Sequence, residues 1–186
     1  MKSDREKWDL RYSQEAGRIP EPDEFLVSHS SFLTSGIALD LACGLGGNSI
    51  FLANRGYSVH AVDISSKAIL GLHEKARIGG LSIYPLVADV DCFQLPKSFY
   101  DLIIVFYFFA KDLMPDIVSA LKRNGLLFYA TYNERHTSVN PTFNPDYLMP
   151  ADGLVQYFSA FDILVSETAA GENRNVSRIL ARKPAD

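Results

Sequence analysis

The sequence predicts an α/β protein built on one doubly wound, seven-stranded sheet, mostly parallel with an antiparallel last strand. Three observations lead there. Short apolar runs alternate with helical segments from residue 37 to residue 131, the rhythm of parallel strands joined by helical crossovers. A glycine turn, Gly44-Leu45-Gly46-Gly47, joins the first run to the first of those helices. The last two runs, Phe161 to Glu167 and Val176 to Arg182, are separated only by Thr168 to Asn175. That connection is too short for a crossover helix, so it forms a hairpin and reverses the final strand.

Residues 3–17 are polar, with Trp8 and Tyr12 four apart and therefore on one face of a short helix. Residues 18–24 hold two prolines and read as a loop. A helix over 25–33 would turn Phe25, Leu26, Phe32 and Leu33 inward. Ile37 to Ala42 then forms a strand, Gly47 to Arg55 a helix stopped by Gly56, and Ser58 to Val62 a second strand. A helix over 66–78 ends at Gly79-Gly80, and Ile83 to Ala88 is a third strand, placed at a sheet edge by Pro85. Tyr100 to Phe106 is the most apolar run and suits a central strand buried on both faces. A helix over 112–123, capped by Asp112 with Pro115 in its first turn and ended by Gly125, leads to a strand over Leu126 to Thr131. A further helix lies near Asp152 to Phe158.

The 186 residues fit a single domain: a helical lid segment over 1–33, then a core over 34–186 with an insertion at 132–160 on the substrate side. The composition is that of a soluble globular chain, 47% hydrophobic and 22% charged. A net charge of −4 without a Lys/Arg block disfavours nucleic acid as a partner. No apolar run approaches the roughly 20 residues a membrane span needs, and the charged Met1 to Asp9 segment does not read as a secretory signal. Cys43 and Cys92 form no CxxC, and the four histidines show no HxxxH or HExxH spacing, so a reduced, cytoplasmic setting and no metal are expected.

The function turns on the glycine turn and on Asp63, which closes the second strand nineteen positions after Gly44. That is about the spacing between a glycine turn and an acid that holds a ribose. A dinucleotide fingerprint would place a third glycine at position 49, which is Ser49, and Asp40 stands inside the first strand. An acid there suits an amine-bearing ligand better than a pyrophosphate. With Asp40-x-Ala42-x-Gly44-x-Gly46 and the reversed last strand, the chain resembles the Rossmann-like class I S-adenosylmethionine-dependent methyltransferases from about residue 37 to 183. Asn48-Ser49, Leu52-Ala53, the run Gly56 to Asp63, the opening Trp8-Asp9-x-Arg11-Tyr12 and the closing Leu180 to Pro184 are similar to the tellurite-resistance and thiopurine methyltransferase-like branch. Ala42 departs from that pattern by replacing its first glycine, and Gly47 by standing where the branch usually carries arginine.

The resemblance implies S-adenosylmethionine as cofactor, S-adenosylhomocysteine as product, and a small-molecule acceptor. It assigns donor binding to Asp40, Ala42, Cys43, Gly44, Gly46, Asn48, Asp63, Ile64, Asp89, Val90 and Phe106. Asp63 would accept the ribose hydroxyls, Asp89 would meet the adenine amine, and Ile64 and Val90 would sandwich the ring. Blander readings stand beside these: Asp63 as a helix cap before Ser65-Ser66, Asp40 as a brace for the turn, Asp89 as an ordinary loop residue. Tyr107, Arg135 and His136 are positioning candidates for the acceptor; Arg174 in the last hairpin ranks below Arg135, and Trp8, Arg11 and Tyr12 would line a lid. A soft chalcogen or thiol acceptor, already ionised, would need no general base. Two rival readings are an NAD(P)-dependent oxidoreductase and a non-catalytic S-adenosylmethionine-binding protein.

Overall fold

The computed structural model describes residues 2–15, 17–18, 20–171 and 174–185, with the side chains of 2, 3, 91, 168–171 and 174 outside the description. The Arg174 expectation therefore falls outside the described side chains. Seven strands form one sheet in the order β3-β2-β1-β4-β5-β7-β6. β1 (Gly36–Leu41), β2 (Tyr57–Asp63) and β3 (Ile83–Val87) pair in parallel, as do β4 (Tyr100–Phe106) and β5 (Leu121–Tyr132). β7 (Arg174–Arg182) runs antiparallel to both β5 and β6 (Asp162–Gly171). The doubly wound sheet with a reversed last strand is thus the architecture the alternation predicts. By its contacts the chain divides into two compact units, residues 1–94 and 95–186.

In the first unit, α1 (Lys2–Gln14) and the short α2 (Glu24–Ser28) precede β1. Asp23 caps α2 by accepting from the Phe25 N–H, and the chain then tightens to a 3₁₀ turn over Ser30–Phe32, so the helix expected over 25–33 is broken. Phe25 and Leu26 reach the core, whereas Phe32 and Leu33 are only half-buried. α3 (Gly47–Ala53) follows β1, and α4 (Ser66–Gly79) follows β2. Ser65 caps α4 by accepting from the Ala68 N–H, and Gly80 ends it in the left-handed region with φ of 60°. Leu39, Leu41, Leu52, Val59 and Leu72 form the fully buried centre. β3 lies at the sheet edge, and Pro85 removes one donor from its ladder.

In the second unit, Leu102, Ile103, Ile104 and Val105 of β4 are wholly buried. Each contributes roughly 1.5–3 kcal/mol of apolar burial. The helix expected over 112–123 is shorter: a 3₁₀ turn over Lys111–Leu113, then α5 (Met114–Ala120) with Pro115 in its first turn and no side-chain cap from Asp112. Gly125 does not end a helix but lies inside β5. Extended backbone wins from Leu121 onward because Leu121 pairs with Tyr100 and Lys122 forms an ion pair with Asp101 at 2.8 Å. α6 (Gly153–Tyr157) falls where expected. β6 and β7 continue to Gly171 and from Arg174, so both strands outrun their predicted ends.

Candidate functional site

The sequence-predicted donor residues of the first unit gather at the carboxyl ends of β1, β2 and β3, where open α/β sheets hold ligands. The chain leaves β1 through Ala42, Gly44 and Gly46, all with positive φ (56°, 53° and 82°). Glycine accommodates that region freely, whereas alanine is strained there by roughly 1 kcal/mol. The departure at position 42 is therefore a local strain in the turn itself. At Gly46 a Cβ would collide with Leu72, and at Gly44 it would lie 2.8 Å from the Tyr12 hydroxyl. Both glycines are needed for close approach as well as for conformation.

Two buried carboxylates flank this turn. Asp63 accepts from the Gly44 N–H through Oδ2 and from the Ser65 N–H through Oδ1, each at 2.8 Å. Its aim is thus fixed by backbone from both sides, and each oxygen keeps acceptor capacity for a further donor. Burial raises its pKa, and the charge of Asp9 adds to that rise while the backbone donors oppose it. Ser65, not Asp63, caps the helix. Asp40 accepts from the Ser49 hydroxyl at 2.6 Å. The residue standing in place of a third glycine is thus the brace of the acid. Burial pushes Asp40 up to about 7, with Asp63 adding to the shift.

Burial, and then the charges of Asp40 and Asp63, push the Cys43 thiol well above the usual range, which keeps it protonated. Val90 is buried, and Ile64 and Asp89 are half-buried at the ends of β2 and β3, where the Ala88 N–H donates to the Asp63 carbonyl. The Oδ1 of Asn48 accepts from the Asp23 N–H at 2.8 Å, so its side chain holds the segment before α2.

Asp9 stands in the Trp8-Asp9-x-Arg11-Tyr12 motif with no expected role of its own. Its carboxylate accepts from the Ser65 hydroxyl at 2.6 Å, the Ser66 hydroxyl at 3.1 Å and the Lys67 N–H at 3.1 Å. Tyr12, stacked on Trp8 with centroids 5.7 Å apart, reaches the glycine turn. Burial, and then the negative charge of Asp63, raises its phenol well above the ordinary value. The Trp8-Asp9-x-Arg11-Tyr12 motif was the available signal, but its partners lie more than fifty positions away in sequence.

In the second unit Phe106 ends β4 buried, and Tyr107 follows it with φ of 56°. Tyr107 packs near Tyr132 at 5.5 Å, and Tyr132 stacks on His136 at 4.3 Å. Phe143 meets His136 edge-on at 5.0 Å. Among the described residues, the buried Nδ1 of His136 finds no hydrogen-bond partner. Arg135 is separated from this cluster in character: its side chain is exposed, while its backbone N–H donates to Asn133 and its carbonyl accepts from Asn175. The neighbouring Asn133, Asn175 and Ser177 are buried and hydrogen-bonded, pinning the insertion that follows β5. Among the described residues, no group of three or more His, Cys, Asp or Glu could hold a metal ion, and no helix is long and apolar enough to cross a membrane.

Comparison with known proteins bears on which ligand such a turn serves. The family described as tellurite resistance protein TehB matches residues 19–144, more than half of the chain. Hemagglutinin 1 of Eikenella corrodens is 29% identical over 139 residues, 72% of this chain and 46% of that protein. A probable S-adenosyl-L-methionine-dependent methyltransferase TehB of Haemophilus influenzae is 32% identical over 89 residues, 46% of this chain and 31% of that protein. The chain therefore spans less than half the length of these curated relatives. The crystal structure of TehB from Haemophilus influenzae shares the fold, with a TM-score of 0.78 at 19% identity over 95% of this chain and 67% of that one. The chain belongs to the family described as tellurite resistance protein TehB.

Proposed function

We propose that the chain is an S-adenosylmethionine-dependent methyltransferase acting on a small molecule, with a soft chalcogen or thiol as acceptor. The observation that carries the reading is Asp63, buried at the end of β2 and aimed by backbone N–H groups from the glycine turn and the start of α4. The donor set fits the cofactor chemically. Asp63 offers carboxylate oxygens to a ribose diol, and Asp40 offers a second acid to the cationic amino-acid end. Asp89, Ile64 and Val90 would hold the adenine, and Ala42, Cys43, Gly44 and Gly46 would present backbone to the donor. Asn48 would hold the donor beside the segment its Oδ1 already fastens.

When bound, the cofactor supplies an activated methyl group on a positively charged sulfur, so the electrophile is not the protein's concern. The chain's part is to orient and to exclude water, and orientation alone is worth roughly 7–11 kcal/mol. The family resemblance also assigns Phe106, at the end of β4, to the donor. Tyr107 and His136 would position the acceptor from the aromatic cluster, with exposed Arg135 available to an anionic one. An ionised thiol, selenite or tellurite attacks without a general base, whereas a neutral thiol must first lose its proton. Ser49 bracing Asp40 favours this reading over a nicotinamide-dependent oxidoreductase, because position 49 is committed to a hydroxyl that a third glycine would lack.

Calorimetry with S-adenosylmethionine, S-adenosylhomocysteine and NADH tests the donor: tight binding of the first two and none of the third is expected. A homocysteine-release assay across thiols, thiopurines, selenite and tellurite tests the acceptor. Turnover with one of them is expected; donor binding without any turnover would leave a non-catalytic binding protein.

A further inference from the structure

We propose that Asp9 is the latch of the donor site: by capping α4 it holds Tyr12 over the glycine turn and makes α1 a wall of the cleft. The inference rests on the donor reading above and adds to it the residues that close the site. Three hydrogen bonds tie one carboxylate to the first turn of α4, two from hydroxyls and one from a backbone N–H. A helix of fourteen residues starts there, and a carboxylate at its N-terminus meets free N–H groups and the positive end of the dipole. One turn of α1 further on, Tyr12 stacks on Trp8 and places its hydroxyl against Gly44.

Ser65 makes the latch more than an anchor. Its hydroxyl donates to Asp9 while its N–H donates to Asp63, so one fully buried residue touches the latch and the proposed ribose acid at once. Losing Asp9 frees the Ser65 hydroxyl and removes a like charge from beside Asp63. Docking of α1 and the aim of Asp63 are therefore coupled. The chain after α1 is fastened as well: the Arg18 carbonyl accepts from Lys75, and the Asp23 N–H donates to Asn48. A Cβ on Gly47 would lie 2.6 Å from the Pro20 carbonyl oxygen. The glycine at position 47, where arginine is usual in the family's pattern, is what lets this segment pass so close to α3.

Asp9 is thus a positioning residue and Tyr12 a donor-contact residue. The test uses the full chain with S-adenosylhomocysteine as probe. Asp9→Ala and Tyr12→Ala should each weaken binding about tenfold, the scale of losing one charge-assisted hydrogen bond or a buried aromatic wall. Asp9→Glu should restore part of that loss. Hydrogen exchange supplies a readout that does not depend on turnover. The α1 amides should exchange faster in Asp9→Ala, with those of β1 unchanged, and the probe should slow α1 exchange in the wild-type chain by about the factor it loses in the variant. Unchanged affinity in both alanine variants, or α1 exchange indifferent to the probe, overturns the latch. A wild-type chain that binds no probe at all overturns the donor reading instead.

Discussion

The glycine turn of the first unit and the aromatic cluster of the second both follow the carboxyl ends of strands, yet they are held by opposite means. At the turn three carboxylates lie close in the fold, and each has donors: Ser65, Ser66 and Lys67 on Asp9, Ser49 on Asp40, Gly44 and Ser65 on Asp63. In the cluster, Tyr107, Tyr132, His136 and Phe143 are held ring against ring, and one buried nitrogen, His136 Nδ1, has no partner among the described residues. The first region is preorganised, with acceptors aimed by backbone before any ligand arrives. The second owes its shape to dispersion and carries an uncompensated desolvation. On the proposed reading, affinity for a fixed ligand belongs with the former, and adaptation to a variable one with the latter.

The sharpest way to break that contrast is Asp63→Ala. It leaves the Gly44 and Ser65 N–H groups without their acceptor, which should destabilise the chain by about 3 kcal/mol in urea unfolding. It should also abolish S-adenosylhomocysteine binding in calorimetry. A stable variant with wild-type affinity would show that the turn is not preorganised around this acid.

Asp40→Asn should act in the other direction on stability. Below the ordinary carboxylate range both folded and unfolded chains hold the proton on Asp40, and the group contributes nothing. As the pH rises toward about 7, the unfolded chain releases that proton while the folded chain retains it, so stability falls and then levels off. The amide oxygen can still accept from Ser49. The variant should therefore gain about 2 kcal/mol at about pH 8 and nothing near about pH 3, while binding the cationic donor more weakly. Urea melts at the two pH values check the sign.

Most of the first unit was legible because its signals are local. The glycine turn, the Gly80 stop and Pro85 at the edge each act within a few residues of where they stand. Asp40 and Asp63 stand out in the sequence as candidates, but their partners do not, because Ser49 and Gly44 meet them only once the turn has folded. What sequence reading lost is what depends on distant pairing. Gly125 looked like a helix stop, yet the extended conformation of Leu121 and Lys122 is set by Tyr100 and Asp101 on β4. Asp9 belongs to the Trp8-Asp9-x-Arg11-Tyr12 motif, but its role is hidden in the sequence because its partners are more than fifty residues away. Ala42 looked like a small change from glycine; its cost appears only in its backbone angle.

Gly47→Ala probes how tightly the segment before α2 is strapped to α3. The added methyl must displace the Pro20 and Glu21 carbonyls, 2.6 and 2.9 Å from its position, and backbone yields less readily than a side chain. A loss of about 1–2 kcal/mol in thermal or urea unfolding is expected, as for other overpacked sites. Faster exchange of the Asp23 amide, which donates to Asn48, should accompany it. Full stability would mean the strap is loosely held and the turn less preorganised than its hydrogen bonds imply.

The smallest effect is expected from His136→Phe, and it tests the other side of the comparison. A phenyl ring can keep the stack on Tyr132 and the edge contact with Phe143 while removing the buried, unpartnered Nδ1. If that nitrogen is a liability in the free chain, the variant should be about 1 kcal/mol more stable, read as a small rise in urea midpoint. Turnover of the acceptor found in the homocysteine-release screen should fall in the same variant, with S-adenosylhomocysteine affinity unchanged. Gain of stability with loss of turnover is the signature of a polar group kept for a ligand. Loss of both would instead make His136 a packing residue and remove the cluster from the acceptor side.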